Sequence, residues 1–209
     1  MSARTGFLVM SHPQWQALVL DLGGVIFEWA GKSETDPEYD LRSIMRTDLY
    51  AQYEMGHIGS EREMCERVGR HLKIDASRVS TTLQIARESL HVNEKLVDCI
   101  RELKATTNLA VYAMTNIPLA DYHYLQRVHP TAMAIFDKAF TSSQAGLRKP
   151  DSNFFKMVIE RIHGAPERTI FIDDRPENVD VAKSMGFHTF RFHETGATCE
   201  FLHRMTKSI

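Results

Sequence analysis

The stretch LVLDLGGVIF, residues 18–27, decides the fold of this chain. Leu18, Val19 and Leu20 indicate a buried strand of a parallel sheet, and Asp21 follows them directly. Because an isolated carboxylate is costly to bury, we expect Asp21 to lie at the carboxyl end of this strand, within reach of a ligand or metal. Ligands of open α/β sheets bind in the crevice outside that edge. Taken alone, the stretch also allows an Asp that only caps a loop.

Length and charge restrict the kind of protein and its partners. The 209 residues are enough for one core, or for one core and a small accessory domain. The composition, 43% hydrophobic and 25% charged, is that of an ordinary soluble protein. Because 25 basic residues face 27 acidic ones, we expect neither a nucleic acid nor a membrane as a partner. The expected partner is a small molecule, and the oligomeric state is not predicted.

Cysteine usage and apolar runs predict a cytoplasmic protein. Cys65, Cys99 and Cys199 are odd in number, widely spaced and without a CxxC pair, which favours reduced thiols over a disulfide framework or a metal site. The apolar run at residues 7–10 is too short for a signal peptide. No run elsewhere approaches the length of a membrane span.

The residues after the first strand predict an inserted helical module. Polar residues at 31–37 favour a loop, and the chain lacks the G-x-G-x-x-G turn of a dinucleotide site. Between residues 38 and 91 we find no convincing strand, while Met64, Val68 and Leu72 follow helical spacing. One crossover helix would connect two parallel strands, so three or four helices favour a separate cap.

Strands and helices alternate after the insert, which predicts a three-layer α/β fold with a parallel sheet. The predicted strands are residues 109–114, 139–141, 169–172 and 187–192. The predicted domains are a core of residues 1–27 and 92–209 and a helical cap of residues 28–91.

Polar residues follow the predicted strands where each one ends. They are Asp21, Thr115 with Asn116, Asp173 with Asp174, and Lys149 in the loop after the third strand. Because parallel strands share one carboxyl edge, these groups are expected to converge. Clustered carboxylates repel one another unless a cation offsets them, and oxygen ligands suit Mg²⁺. A hydroxyl, an amide and an ammonium beside that metal suit the oxygens of a phosphoryl group.

In order and context these residues resemble the motifs of the haloacid dehalogenase (HAD) superfamily. The motifs are Asp21 in DLGGV, Thr115 with Asn116 after a strand, Lys149 in GLRKP, and Asp173 with Asp174 in FIDDRPEN. The resemblance covers almost the whole chain, and the helical insert is similar to a subfamily I cap. It implies a Rossmann-like three-layer core, Mg²⁺, and hydrolysis of a phosphate or diphosphate ester through an aspartyl-phosphate.

The resemblance also implies a role for each residue. Asp21 would be the nucleophile, and Lys149 would neutralise charge on the nucleophile and the phosphate. Phosphoryl oxygens would be bound by Thr115, Asn116 and Lys149. The Mg²⁺ ligands would be Asp21, the carbonyl of Gly23, Asp173 and Asp174.

Gly23 departs from the pattern of HAD phosphatases, which commonly carry a second Asp two residues after the nucleophile as general acid and base. Glycine transfers no proton, and general acid–base catalysis is typically worth about 10²–10⁴-fold. Some HAD sugar-phosphate phosphatases have glycine there too, so phosphatase action remains the first expectation. His123 is one candidate for a substitute proton carrier.

Two alternatives remain beside the phosphatase. The segments YEMGHIGS and IDDRPEN also resemble fungal HAD-like terpene synthases and terpenyl diphosphatases. A sesquiterpene synthase would ionise farnesyl diphosphate and release pyrophosphate without a proton from position 23. The aromatic residues Trp29, Tyr50 and Tyr53 would then line an apolar pocket, or else simply pack within the cap. The second alternative is a non-catalytic phosphate-binding module.

Overall fold

The computed structural model describes residues 15–29 and 41–206. Its strands are β1 (Ala17–Leu20), β2 (Phe27–Trp29), β3 (Leu90–Val92), β4 (Ala110–Thr115), β5 (Lys138–Thr141), β6 (Thr169–Asp173) and β7 (His188–Arg191). Between β2 and β3 lie helices α1 (Leu41–Met45), α2 (Asp48–Glu54), α3 (Glu61–Leu72) and α4 (Ala76–Glu88). The remaining helices are α5 (Glu94–Thr106), α6 (Leu119–Val128), α7 (Pro130–Met133), α8 (Ser142–Ala145), α9 (Ser152–Arg161), α10 (Pro176–Ser184) and α11 (Thr195–Thr206).

The centre of the protein is a five-stranded parallel sheet in the order β5-β4-β1-β6-β7. All four residues of β1 are buried, as expected for a strand covered on both faces. Leu20 pairs with Ala113 on β4 and with Ile172 on β6. One step further along, Asp21 is therefore level with Asp173, so the register itself brings the two carboxylates to the same edge.

Two apolar clusters cover the faces of the sheet. Ile100 of α5 and Leu202 of α11 belong to the first cluster, together with Leu18 and Leu20 of β1. Phe155 of α9 and Ala182 of α10 belong to the second cluster, which includes Val19 on the opposite face of the same strand. The arrangement of helix, sheet and helix confirms the predicted three-layer α/β fold.

Helices α1 to α4 form a cap with its own apolar cluster, which includes Ile44, Met64 and Val79. Its chain leaves and returns through an antiparallel pair in which Phe27 of β2 faces Val92 of β3. The prediction of no convincing strand between residues 38 and 91 is wrong at its end, because β3 begins at Leu90. Strands of three residues are too short to show an alternating pattern. The division at residues 28 and 91 falls within this pair and stays a prediction.

Four other predictions concern single segments, membrane spans and cysteines. The apolar run at residues 7–10 and the loop at residues 31–37 lie outside the described residues. Within residues 15–29 and 41–206, no helix has both the length and the apolar character needed to cross a membrane. The three cysteines are free thiols, as their spacing predicted.

Candidate active site

Lys149 bridges two carboxylates at the edge of the sheet. Its Nζ lies 2.9 Å from Asp21 Oδ1 and 2.6 Å from Asp173 Oδ2. Lys149 is 1% exposed, and Asp21 and Asp173 are 8% and 0% exposed. Three side chains from β1, β6 and the loop after β5 are thus brought together out of water, as the order of the strands predicted.

The position of Lys149 is fixed by Asn116, which follows β4. The Lys149 backbone N–H donates to Asn116 Oδ1 at 2.8 Å, and Asn116 Nδ2 donates to the Lys149 carbonyl at 2.9 Å. Both ends of the amide are therefore engaged in positioning the lysine. The predicted phosphate-binding role of Asn116 stays a prediction, and its side-chain amide is engaged with Lys149.

The carboxylates of Asp21, Asp173 and Asp174 form a possible metal centre. Each offers an oxygen, and these oxygens lie within 4.8 Å of one another. Asn178 Nδ2 donates to both Asp173 oxygens at 2.9 and 3.0 Å, which fixes the orientation of that carboxylate. Oxygen donors with room for water suit Mg²⁺, so the residues present fit this ion.

Gly24, in the turn after Asp21, lies close to the Asp174 carboxylate. Its φ is +75°, and a Cβ there would lie 2.8 Å from Asp174 Oδ2. A side chain at this position would strain the backbone and displace one carboxylate of the cluster. The turn after β1 therefore depends on glycine for the approach of Asp174.

The electrostatics of the cluster favour a bound cation. Burial raises the pKa of Asp21 to about 6, Lys149 opposes that rise, and Asp173 and Asp174 add to it. Burial alone would lower the pKa of Lys149, but Asp21 and Asp173 raise it above its ordinary value. The pKa of Asp174 is also raised, first by burial and then by Asp173. One ammonium does not balance three carboxylates, and a divalent cation would.

A cavity of about 90 Å³ opens beside these residues, between the cap and the core. Gly23, Thr115 and Asn116 line its end nearest to Asp21. Most of the remaining lining is apolar and consists of Leu22, Phe27, Leu41, Met45, Tyr50, Leu83, Ala86, Leu90, Ile117, Pro118 and Leu125. The roles predicted for Gly23 and Thr115 stay predictions, and both residues line a cavity whose other lining is mostly apolar.

The predicted cap aromatics separate in the structure. Tyr50 lines the cavity, whereas Tyr53 and His123 line a different one, near Ile58. For Trp29 the structure describes the backbone and not the side chain.

An ion pair connects the cap to the core beside the cavity. Arg87 of α4 donates from Nε to Asp121 Oδ1 of α6 at 2.7 Å. Arg87 also donates from Nη2 to Glu61 Oε2 of α3 at 2.6 Å. Arg87 therefore joins one carboxylate of the core to one of the cap.

Glu54, at the end of α2, is a site residue that the sequence analysis missed. It is 4% exposed, lines the cavity with Gly23 and Thr115, and lies 2.9 Å from Arg148 Nη2 through Oε2. Burial raises its pKa to about 7, while Arg148 opposes the rise. Its position within the YEMGHIGS segment was the available signal.

Comparison with known proteins agrees with this geometry. A profile of haloacid dehalogenase-like hydrolases matches residues 5–186. Sesquiterpene phosphatase astK of Aspergillus oryzae is 33% identical over 91% of this chain and 96% of its own length. Drimenol cyclase drtB of Aspergillus calidoustus is 34% identical over 86% of this chain, which spans only 34% of that protein. A HAD enzyme of Bacteroides thetaiotaomicron, solved with magnesium and inorganic phosphate, shares the fold at a TM-score of 0.69 and 21% identity, over 86% of this chain and 94% of that one.

Proposed function

This chain belongs to the haloacid dehalogenase-like hydrolase family, and we propose that it is a magnesium-dependent phosphatase acting on the phosphate ester of an apolar alcohol. The observation that carries the proposal is the position of Lys149, 2.9 Å from Asp21 and 2.6 Å from Asp173, within a cluster of carboxylates. A buried cation between a free nucleophile and a metal ligand is what attack on a phosphate dianion requires.

In this mechanism Asp21 is the nucleophile. A carboxylate attacks phosphorus without first losing a proton, and the Lys149 ammonium offsets the repulsion between two anions. Mg²⁺, held by Asp21, Asp173, Asp174 and the Gly23 carbonyl, would supply further positive charge to the phosphoryl oxygens.

The phosphoryl group transfers to Asp21, the alcohol departs, and water then hydrolyses the aspartyl-phosphate. The Thr115 hydroxyl, the Asn116 backbone and Lys149 hold the transferred group during both steps. Thr115 is 2% exposed at the end of β4, and it lines the cavity together with Gly23. Preorganised donors of this kind stabilise the charge that develops on the equatorial oxygens.

We propose a sesquiterpene alcohol as the leaving group. The cavity beyond Gly23 and Thr115 is lined mainly by Leu, Ile, Met and aromatic side chains, which would exclude a sugar. The relative named as a sesquiterpene phosphatase aligns with nearly the whole of this chain.

Asp21→Asn tests the phosphatase assignment. The purified protein with Mg²⁺ is incubated with farnesyl phosphate and with a sugar phosphate, and released phosphate is measured. We expect turnover of farnesyl phosphate only, and loss of that turnover in Asp21→Asn. Asp98→Asn is the matched control, because Asp98 is an exposed partner of Arg101. Undiminished turnover by Asp21→Asn would remove that residue from the mechanism.

A sesquiterpene synthase is the second candidate, favoured by the identity with drimenol cyclase. Incubation with farnesyl diphosphate and Mg²⁺ separates the two functions by their products. Pyrophosphate with a hydrocarbon or cyclic alcohol indicates a synthase, and orthophosphate indicates a phosphatase. Binding of phosphate without any turnover supports a non-catalytic module.

A further inference from the structure

Position 23 lacks the proton donor that an alkoxide leaving group needs, because it is glycine. We propose that Glu54 supplies this proton from the cap side of the cavity, and that it then deprotonates the water that attacks the aspartyl-phosphate. This inference rests on the proposed phosphatase function and assigns its general acid and base.

The fold places Glu54 in the lining of the cavity that Gly23 also lines. Its side chain lines the same space as Gly23, Thr115 and Asn116, but it comes from helix α2 of the cap. The core holds this helix end in place, since Ser142 Oγ of α8 donates to the Glu54 carbonyl at 2.6 Å. Glu54 from the cap and Gly23 from the core therefore line one cavity.

The Glu54 carboxyl group is buried yet incompletely bonded. Its Oε2 lies 2.9 Å from Arg148 Nη2, but within the described part of the chain no donor reaches it with hydrogen-bond geometry. Arg148 Nε also lacks a hydrogen-bond partner among the described residues. Buried polar atoms are normally satisfied, so an unsatisfied carboxyl oxygen beside a cavity points to a ligand or water.

The charges around Glu54 suit an acid that changes protonation near neutral pH. Burial raises its pKa to about 7. Asp21 adds to this effect, whereas Arg148, Arg175 and Lys149 oppose it. A general acid works best when its pKa is close to the operating pH.

Two other groups near the cavity are less suited to this role. Asp121 also lines the cavity, but Arg87 holds its Oδ1 with a charge-assisted hydrogen bond of 2.7 Å. His123, the candidate from the sequence, lines a different cavity beside Tyr53. Glu54 is the carboxyl group that combines burial, an ion pair without hydrogen-bond geometry and a cavity shared with Gly23.

The proton moves in a closed cycle. As Asp21 attacks phosphorus, the bond from phosphorus to the alcohol oxygen breaks, and its electron pair takes the Glu54 proton. The alcohol departs and Glu54 is left as a carboxylate. This carboxylate accepts a proton from water as the water oxygen bonds to phosphorus. The bond between phosphorus and Asp21 then breaks, which releases phosphate and restores both residues.

Glu54→Gln tests the assignment with two leaving groups. Octyl phosphate leaves as an alkoxide and needs a proton, while p-nitrophenyl phosphate leaves as a stable phenolate. We expect Glu54→Gln to lower turnover of octyl phosphate by about 10²–10⁴-fold. With p-nitrophenyl phosphate, the rate of the first turnover by Glu54→Gln should stay within a few-fold of the wild-type rate. A burst of one phenolate per enzyme then precedes slow hydrolysis of the aspartyl-phosphate.

Two further variants separate catalysis from folding. Glu54→Asp keeps an acid and should recover part of the lost octyl phosphate turnover. Glu63→Gln removes a cap carboxylate that is paired with Arg67 at the surface, and it should match wild type. The turnover of octyl phosphate by wild type should also fall as pH rises through about 7, and Glu54→Gln should lack this fall.

Equal first-turnover losses on both substrates, or no loss on either, would overturn the role of Glu54. Failure of the wild-type protein to hydrolyse either substrate would instead overturn the proposed function.

Discussion

Replacing Lys149 with Met leaves two buried carboxylates without their shared cation. Lys149 and Asp173 have side-chain exposures of 1% and 0%, so water cannot replace the lost contact. Removing one partner of a buried ion pair costs about 3–5 kcal/mol, because the remaining charge stays uncompensated. For a chain of this size, that corresponds to a melting temperature lower by about 6–20 °C.

The assay is thermal unfolding of both proteins, with and without Mg²⁺. The variant should lose stability mainly in the metal-free state. Because Lys149→Met leaves the carboxylate cluster more negative, Mg²⁺ should raise its melting temperature by more than it raises that of wild type. Phosphatase activity of the variant should be lost even with Mg²⁺, since the metal does not replace the ammonium beside the nucleophile.

Lys104→Met is the matched control. Lys104 pairs with Asp137 at 2.8 Å, but the two side chains are 27% and 45% exposed. A surface ion pair of this kind contributes about 0–1 kcal/mol. If Lys149→Met were no less stable than Lys104→Met without metal, the argument that the buried lysine balances the cluster would be refuted.

Three further substitutions test other parts of the site. Asn178→Leu removes the two hydrogen bonds that Asn178 Nδ2 donates to Asp173 and should weaken Mg²⁺ binding by about 10–100-fold in calorimetry; unchanged affinity would contradict the positioning role. Gly24→Ala should cost about 1–2 kcal/mol in urea unfolding, because its φ of +75° disfavours a Cβ that would also meet Asp174, and a neutral effect would contradict this. The folded protein holds the Glu54 proton more tightly than the unfolded chain, since the pKa of Glu54 rises from 4.5 to about 7. Glu54 should therefore account for a loss of about 3 kcal/mol of unfolding free energy between pH 4 and pH 8 in the metal-free protein, so Glu54→Gln should lose about that much less than wild type over this range.

The positions of Asp21, Lys149 and Asp173 were accessible from the sequence because they depend on topology alone. Asp21 and Asp173 stand at the ends of buried apolar runs, and Lys149 lies in the loop after another strand. Parallel strands share one carboxyl edge. No knowledge of side-chain packing was needed to expect their convergence. The same reasoning predicted the three-layer fold with its parallel sheet.

Features that depend on tertiary packing were not accessible in this way. Strands β2 and β3 pair with each other, and at three residues each neither shows a pattern by itself. Glu54 belongs to the site because the cap docks on the core, and helical periodicity does not state where a cap docks. Asn116 was predicted to hold phosphate, but its amide bonds to Lys149 through the conformation of a loop.

The ion pair between Arg87 and Asp121 has a consequence for turnover. The cavity of about 90 Å³ is smaller than the roughly 300 Å³ at which ligand sites begin, so the fifteen-carbon alcohol proposed as leaving group would enter only if the cap moved away from the core. That motion separates Arg87 from Asp121 and leaves Arg87 with Glu61, which travels on the same cap. Arg87 would therefore keep a carboxylate partner while the cap is open. Salt screens an ion pair that water can reach, so higher ionic strength should weaken the contact of Arg87 with Asp121 and make opening of the cap, for entry of substrate and release of product, easier.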